Sequence, residues 1–439
     1  MSRIVAKFGG TSMATAESIN RIIKIIKSDF SRRFIVVSAP GKKAPEDKKI
    51  TDILFECAVQ VKLMGDCPLF DEVEETFTKI VQGLNLKINI AKLLAETKKQ
   101  IIETNSVDFA ASRGEYLAAR IMAEAIGFEF VDASELIVFD DDGNFLSEET
   151  NEKCYKYLDT KEAAVIPGFY GKMLNGQIKT FSRGGSDITG AIIARATLAD
   201  LYENWTDVDG FLAANPAVVL SPRQICSLSY KELRELSYMG ASVLHAESVF
   251  PVWESGIPIN IKNTFNPTNP GTMIVPTISE NAEHGVLLTG ISGKQDYTVF
   301  HLEKDLMSNS PGFARKVLTV LENNNVPFEF MPSGIDALSL VIESRHLNQK
   351  LINTLTRELQ SAVLPDLIEI TDKMAVIAIV GRNIKAQPDT ISKIFEALKR
   401  AGITIRLVDI GSNGLSVTVG VNNYDFEKAI SAVYFRLTQ

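Results

Sequence analysis

The chain has 439 residues, 45% of them hydrophobic and 23% charged, with a net charge of −8. That length exceeds one ordinary core, so two or three domains are expected, and the composition is globular rather than disordered. The acidic balance argues against sequence-independent nucleic-acid binding, which needs a basic surface, but it leaves room for a local cationic pocket.

The N-terminus lacks the apolar stretch of a signal peptide, and no apolar run approaches the roughly 18 residues of a membrane span. No membrane partner is expected, and a cytoplasmic location is. Cys57, Cys67, Cys154 and Cys226 are widely spaced with no CxxC, the usage of reduced thiols in a cytosolic protein. His245, His284, His301 and His346 show no ligand spacing, so a metal held by the protein alone is not expected.

The first strand is IVAKF, ending at Lys7 and followed at once by Gly9 and Gly10. In INRIIKIIKSDF, Ile19, Ile22, Ile23 and Ile26 share one helical face,. FIVVSAP (34–40) is the next strand, running into a lysine-rich loop. FEFVDA (128–133), AAVIPGFY (163–170), IKTF (178–181), ADLYENWTD (199–207) and IPINIKN (257–263) read as later strands, most of them separated by helical patterns. Apolar strands alternating with helices predict a mainly parallel sheet sandwiched by helices.

NPTNPGT (266–272) and PTISENAEHG (276–285) carry the Pro, Gly and Asn of a boundary and linker,. Beyond them the chain repeats itself. Residues 314–342 align without a gap on 391–419, so that Leu321 meets Leu398, Val326 meets Ile403, Gly334 meets Gly411 and Ser339 meets Ser416. Each copy reads as helix, turn, strand, glycine turn, strand, which is the order of a ferredoxin-like βαββαβ module. The expected division is 1–275, a linker 276–285, a first module 286–368 and a second 369–439.

Four stretches of the first part place small or charged residues where strands end, the ligand-binding edge of an open α/β sheet. In KFGG, Gly9 and Gly10 let backbone N–H groups approach a phosphate, and Lys7 supplies a point charge, with a following helix N-terminus as a further positive end. An ordinary glycine turn with a snorkelling lysine would look the same. GxxxxGK[ST] is absent, so this is not a Walker site. In TFSRGGSDITGA (180–191), Ser186 suits an N-cap and Asp187 the first turn of a helix. Arg183 has no such structural role there and offers a fork for a carboxylate. Ser112–Glu115 in AASRGEYLAARIM fits a capping box, and ENWTDVDGFLAANP (203–216) fits a strand entering a turn.

Taken in order, KFGG, VVSAP, SRGE, SRGGSD, WTDVDG and GASVLH resemble the aspartate kinases of the amino acid kinase family over residues 1 to about 275. The tandem modules resemble the ACT domains that those enzymes carry. The resemblance implies an enzyme that moves the γ-phosphoryl of ATP, with Mg²⁺, onto the β-carboxylate of L-aspartate. The product, 4-phospho-L-aspartate, opens the routes to lysine and diaminopimelate, threonine and methionine.

By the same resemblance, Lys7 bridges the phosphates and Asp187 orients the catalytic cations. Ser38, Thr51, Glu115, Arg183 and Ser186 line the aspartate site, with Arg183 and Glu115 clamping its α-carboxylate and α-amino groups. Lys7, Phe8, Gly9, Gly10, Thr206 and Asp207 contact ATP, and Leu212 and Ser242 are added to that set. MSNSPGF and VPFEFMPSG match an effector loop and strand through Ser310, Gly312, Phe313 and Glu329. This implies feedback control by an amino acid, lysine first, with threonine or lysine plus threonine as the alternatives. The second module lacks the SPGF pattern and is expected to pair structurally. Exposed sheet edges of such modules imply a homo-oligomer.

Two departures stand out. GASVLH has Ser242 where many aspartate kinases have lysine, and Asn215-Pro216-Ala217 stands where many have DPR; Lys42, Lys43, Arg223 and Lys262 are candidate replacement cations. A kinase for another acid, such as glutamate or N-acetylglutamate, is the nearest rival, and a non-catalytic amino-acid sensor is the rival from another class. A fused homoserine dehydrogenase is not expected at this length and without GxGxxG.

Overall fold

A computed structural model describes residues 2–44, 46–182, 184–241, 243–244, 246–278, 288–382, 384, 388–411 and 414–438. The chain forms two compact units. One comprises Met1–Phe211, Gln224–Leu233 and Ser242–Ala282; the other comprises Leu212–Arg223, Arg234–Ala241 and Glu283–Gln439.

In the first unit, strand β1 (Ile4–Phe8) leads through a 3-10 turn at Thr11–Met13 into helix α1 (Ala16–Lys27). The expected helix therefore does not start at the glycines. Thr15 caps α1 instead, accepting from the Ser18 N–H at 3.2 Å while the Thr15 N–H donates to Ser18 Oγ,. Strand β2 (Arg32–Val37) follows, then four helices: α2 (Ile50–Met64), α3 (Phe70–Gly83), α4 (Ile90–Thr104) and α5 (Val107–Ile126). Strands β3 (Glu129–Phe130) and β4 (Val138–Phe139), helix α6 (Ser147–Leu158), and strands β5 (Ala164–Pro167), β6 (Tyr170–Met173) and β7 (Ile178–Thr180) come next. Helix α7 (Gly185–Ala196), strands β8 (Leu201–Thr206) and β9 (Ser227–Ser229), and helices α8 (Tyr230–Tyr238) and α9 (Phe250–Glu254) precede β10 (Ile259–Asn263) and β11 (Thr272–Val275).

The main sheet has the order β3-β5-β2-β1-β8-β10-β11-β9. Its pairings are parallel except for β10 with β11. Period-two alternation sends Ala6 and Phe8 into a core with α1 to α5, so Lys7 emerges on the other face, toward α7. A small sheet, β4-β6-β7, packs beside this layer.

The second unit is built on β12 (Gly290–Glu303), α10 (Phe313–Asn323), β13 (Ala337–Glu343), α11 (Gln349–Val363), β14 (Leu367–Val380), α12 (Pro388–Arg400), β15 (Leu407–Ile410), β16 (Ser416–Asn422) and α13 (Phe426–Thr438). The repeat seen in the sequence is α10 with β13 and α12 with β16. Its strands lie in one antiparallel sheet, β13-β12-β14-β16-β15. β12 and β14 each run for 14 residues and pair along most of their length. One half of each serves the first module and the other half serves the second. Each long strand changes partners at an irregularity near its middle, with Asp296 at φ 65° in β12 and Lys373 at φ 54° in β14, and the ladder between them shifts register there without ending,.

Candidate active site

The carboxyl ends of β1, β2, β5 and β8 meet at one edge. The Gly9 N–H donates to Trp205 O at 3.0 Å, the Ser38 N–H to Phe8 O at 3.1 Å, and the Gly168 N–H to Val37 O at 2.9 Å. Gly41 donates to Gly10 O at 2.8 Å, which closes the loop after β2 onto the loop after β1. The N–H groups of Gly10 and Thr11 take no hydrogen bond among the described residues; they are donors suited to an anion.

Lys7 is 7% exposed. Its Nζ lies 2.6 Å from Asp187 Oδ1, in the first turn of α7. Asn204, on β8 directly beside Lys7, donates through Nδ2 to the same carboxylate oxygen at 2.8 Å and presents Oδ1 to Nζ at 3.4 Å. The ammonium that ends a buried strand is thus paired with a carboxylate, and both sit at the N-terminal end of α7, which carries the positive end of the helix dipole,. Sequence reasoning named Lys7 and Asp187 and missed Asn204. Its signal was a carboxamide two residues after Tyr202 on the same face of a buried strand.

Ser186 does not cap α7. Gly184, at φ 60°, is the cap, and Ser186 lies inside the first turn. A Cβ on Gly168 would come within 2.7 Å of Ser186 Cβ, so this serine sits against the end of β5.

The SRGE stretch is not a helix start either. Ser106 caps α5, accepting from the Phe109 N–H at 3.3 Å, and Ser112 to Glu115 lie in the buried interior of that helix. The Ser112 hydroxyl donates back to Phe109 O. Gly114 allows α5 to press on the loop after β2, since a Cβ there would stand 2.7 Å from Ala39 Cβ and 3.4 Å from Ile50 Cγ2. This brings Glu115 to the Ala39 backbone N–H, beside Ser38, and close to the first turn of α2, which carries Thr51. Glu115 Oε2 is buried with no hydrogen-bond partner. Burial pushes the Glu115 carboxyl up to about 8, against the lowering effects of the Ala39 and Glu115 backbone N–H groups and the Arg113 charge,. A buried carboxyl with one oxygen left unpartnered suits a ligand ammonium.

Thr206 ends β8 two residues beyond Asn204, Asp207 follows it, and Thr206 Oγ1 is 3.2 Å from Asp207 Oδ1. Phe8 faces away from Lys7 and stacks on Trp205, with ring centroids 5.9 Å apart. Its side chain is therefore core, and any nucleotide contact is through its backbone. Lys262 pairs in register with Trp205 and lies over that ring at 5.2 Å. It is on the face opposite Lys7, which rules it out as a stand-in for the missing phosphate contact. Arg223 belongs to the second unit, where its guanidinium donates to Leu288 O at 2.7 Å. Leu212 also belongs to the second unit. Arg183 and Ser242 lie outside the described residues.

In the second unit, Gly312 adopts φ 79° and caps α10, and the Phe313 N–H donates to Ser310 O at 3.2 Å. Phe313 itself enters the core with Phe300 and Leu340. The Glu329 N–H donates to Val341 O at 2.8 Å, and Glu329 Oε2 is buried without a partner. Among the described residues no three His, Cys, Asp or Glu side chains gather as a metal cluster, and no helix is long and apolar enough to cross a membrane.

Comparisons with known proteins bear on the family and the fold. Residues 2–263 match the amino acid kinase family and residues 377–437 match an ACT domain. Aspartokinase 3 of Bacillus subtilis is 33% identical over 445 residues, covering 98% of this chain and 97% of that one. The crystal structure of Clostridium acetobutylicum aspartate kinase, described as an allosteric enzyme, is similar with TM-score 0.89 at 46% identity over 100% of both chains. E. coli aspartokinase III shares the fold at 22% identity over 100% of both chains, with TM-score 0.77 for its complex with aspartate and ADP and 0.74 for that with lysine and aspartate. The chain belongs to the amino acid kinase family and, within it, to the aspartate kinases.

Proposed function

We propose that this aspartate kinase uses Lys7, Asp187, Glu115, Ser38, Thr51, Ser186 and Arg183 to bring the β-carboxylate of L-aspartate against the γ-phosphoryl of ATP, forming 4-phospho-L-aspartate. The observation that carries this reading is the Lys7–Asp187 pair at 2.6 Å on the ligand-binding edge of the sheet. The nucleophile needs no general base, because a free β-carboxylate ionises near pKa 3.9. The obstacle is repulsion between anions, about 4 kcal/mol per unit-charge pair at 4 Å and an effective dielectric of 20. Lys7 and the N–H groups of Gly10 and Thr11 oppose that repulsion, and the work is mainly positioning and electrostatics.

Mg²⁺ carried by ATP fits this site. Phosphate oxygens and waters supply most of its ligands, one or two carboxylates complete it, and the Asp187 carboxylate stands beside the lysine that meets the phosphates. The ion would neutralise phosphate charge. Thr206, Asp207, Leu212 and Ser242 are assigned to the nucleotide, and Glu115 to the aspartate ammonium.

Residues 1–275 are assigned to catalysis, 276–285 to a linker, and 286–368 and 369–439 to two regulatory modules. Ser310, Gly312, Phe313 and Glu329 are assigned to an amino-acid effector. Lysine is favoured because the Glu329 carboxylate, which faces Tyr238 and keeps Oε2 buried without a hydrogen-bond partner, suits a second ammonium, which threonine lacks. Assembly of chains through the module edges goes with this reading, as does a place at the head of lysine, threonine and methionine synthesis. Trapping the acyl phosphate with hydroxylamine tests the function: hydroxamate must form only with ATP and aspartate together, and its absence ends the reading.

A further inference from the structure

Asn204 occupies a position where the fold asks for an apolar side chain. It is 3% exposed, in the middle of β8. Its partner in register on β10 is Ile261, and the next residue on its own face, Tyr202, is fully buried. Both Tyr202 and Asn204 reach the same residue of α7. The Tyr202 hydroxyl donates to Asp187 O at 3.1 Å, and Asn204 Nδ2 donates to Asp187 Oδ1 at 2.8 Å. Lys7 Nζ shares that oxygen at 2.6 Å. The polar and charged groups around the carboxamide are therefore Lys7 from β1, Asp187 from α7 and Tyr202 from β8.

A lysine that serves phosphoryl transfer has two anionic partners in turn, Asp187 before ATP arrives and the phosphate afterwards. Leaving Asp187 Oδ1 without a donor is costly, because the group is already largely stripped of water, and a cation carried by ATP would share the carboxylate without giving that oxygen a hydrogen bond,. A neutral donor on the same oxygen removes much of that cost without adding a charge that would compete for the phosphate. We infer that Asn204 is a positioning residue that keeps Asp187 hydrogen-bonded while Lys7 turns from that carboxylate to the transferred phosphoryl group. This rests on the assignment of Lys7 and Asp187 made above. With leucine at 204, Asp187 depends on Lys7 alone among these side chains, so the lysine is retained. With aspartate at 204, the donor exists only while one carboxyl of the new pair keeps a proton.

The test is steady-state kinetics of the full-length enzyme carrying Asn204→Leu, alone and combined with Lys7→Ala. Asn204→Leu is expected to lower kcat about tenfold or more, to leave the KM for aspartate within about twofold, and to cause no further loss in the Lys7→Ala background, since both act on one step. A kcat within twofold of wild type overturns the inference, and so does an undiminished penalty on top of Lys7→Ala. Should the leucine variant not fold, Asn204→Asp, judged folded by its near-UV circular dichroism, is expected to show kcat falling with rising pH along a limb absent from wild type; a profile matching wild type overturns the inference. The underlying assignment fails separately, if Lys7→Ala by itself keeps near-normal turnover.

Discussion

Gly41 lies flat against Gly10: its N–H donates to the Gly10 carbonyl at 2.8 Å, and a Cβ on Gly41 would stand 2.7 Å from the Gly10 carbonyl carbon. The obstacle is backbone rather than a movable side chain, so a methyl group there must push apart the loop that follows the Lys7 strand and the loop that carries Ser38. Gly41→Ala is expected to cost about 1–3 kcal/mol, the usual penalty of overpacking. Urea unfolding followed by tryptophan fluorescence measures it, and an unchanged midpoint would contradict the contact.

Lys7→Ala removes the ammonium proposed to meet the phosphates. Loss of one well-placed electrostatic donor costs about 10²–10³ in kcat. Aspartate affinity, measured by calorimetry, is expected to stay close to wild type, because Glu115, Ser38 and Thr51 are untouched.

Glu115 gives a pH dependence with a definite sign. Its carboxyl is raised by burial to about 8, above an unfolded value near 4.3. The folded state therefore holds the proton that the unfolded state releases. The stabilising contribution is complete below about pH 4 and is lost as pH rises toward 8, on the order of a few kcal/mol in the ligand-free enzyme. Glu115→Gln is expected to flatten the fall of Tm between about pH 5 and 8. Aspartate binding at pH 7 is expected to release a proton, since an ammonium beside Glu115 favours its charged form; calorimetry in buffers of different ionisation enthalpy reads that proton.

Arg32 and Glu203 form a bidentate pair, Nε to Oε2 at 2.6 Å and Nη2 to Oε1 at 3.0 Å, with both side chains nearly buried. Glu203→Ala would leave the Arg32 guanidinium without its carboxylate and also strip Trp205 Nε1 of its acceptor. A loss of about 3–5 kcal/mol is expected on urea unfolding. A loss under 1 kcal/mol would mean that solvent reaches this pair.

Glu329 tests the regulatory proposal. Hydrogen bonds to charged groups contribute about 1.5–3 kcal/mol. Glu329→Gln is therefore expected to raise the half-inhibiting lysine concentration by about tenfold or more, read from initial rates at fixed aspartate and ATP. An unaltered inhibition curve would remove Glu329 from the effector site.

Parts of the site were legible and others were not, for identifiable reasons. The strand tip with Lys7 and two glycines is local, as is the first-turn position of Asp187. Ser112–Glu115 has the spacing of a capping box, yet the cap is Ser106. A buried helix interior and a helix start share the same short pattern, and only packing on Ala39 separates them. Lys262 looked like a spare cation, but the strand pleat turns it to the wrong face. Asn204 stood in plain view, but its partners Lys7 and Asp187 lie 197 and 17 residues away.

What the sequence determined by itself was the parallel α/β layer, the repeat behind it and the identity of the charged groups, because periodicity and turn chemistry act over a few residues. Tertiary structure alone decided that β12 and β14 run through both modules, that Glu115 is buried with one oxygen unpartnered, and that Lys7 and Asn204 share one oxygen of the Asp187 carboxylate. Such relationships depend on strand order and on which face a side chain takes, and both follow from packing the whole sheet rather than from any short stretch of chain.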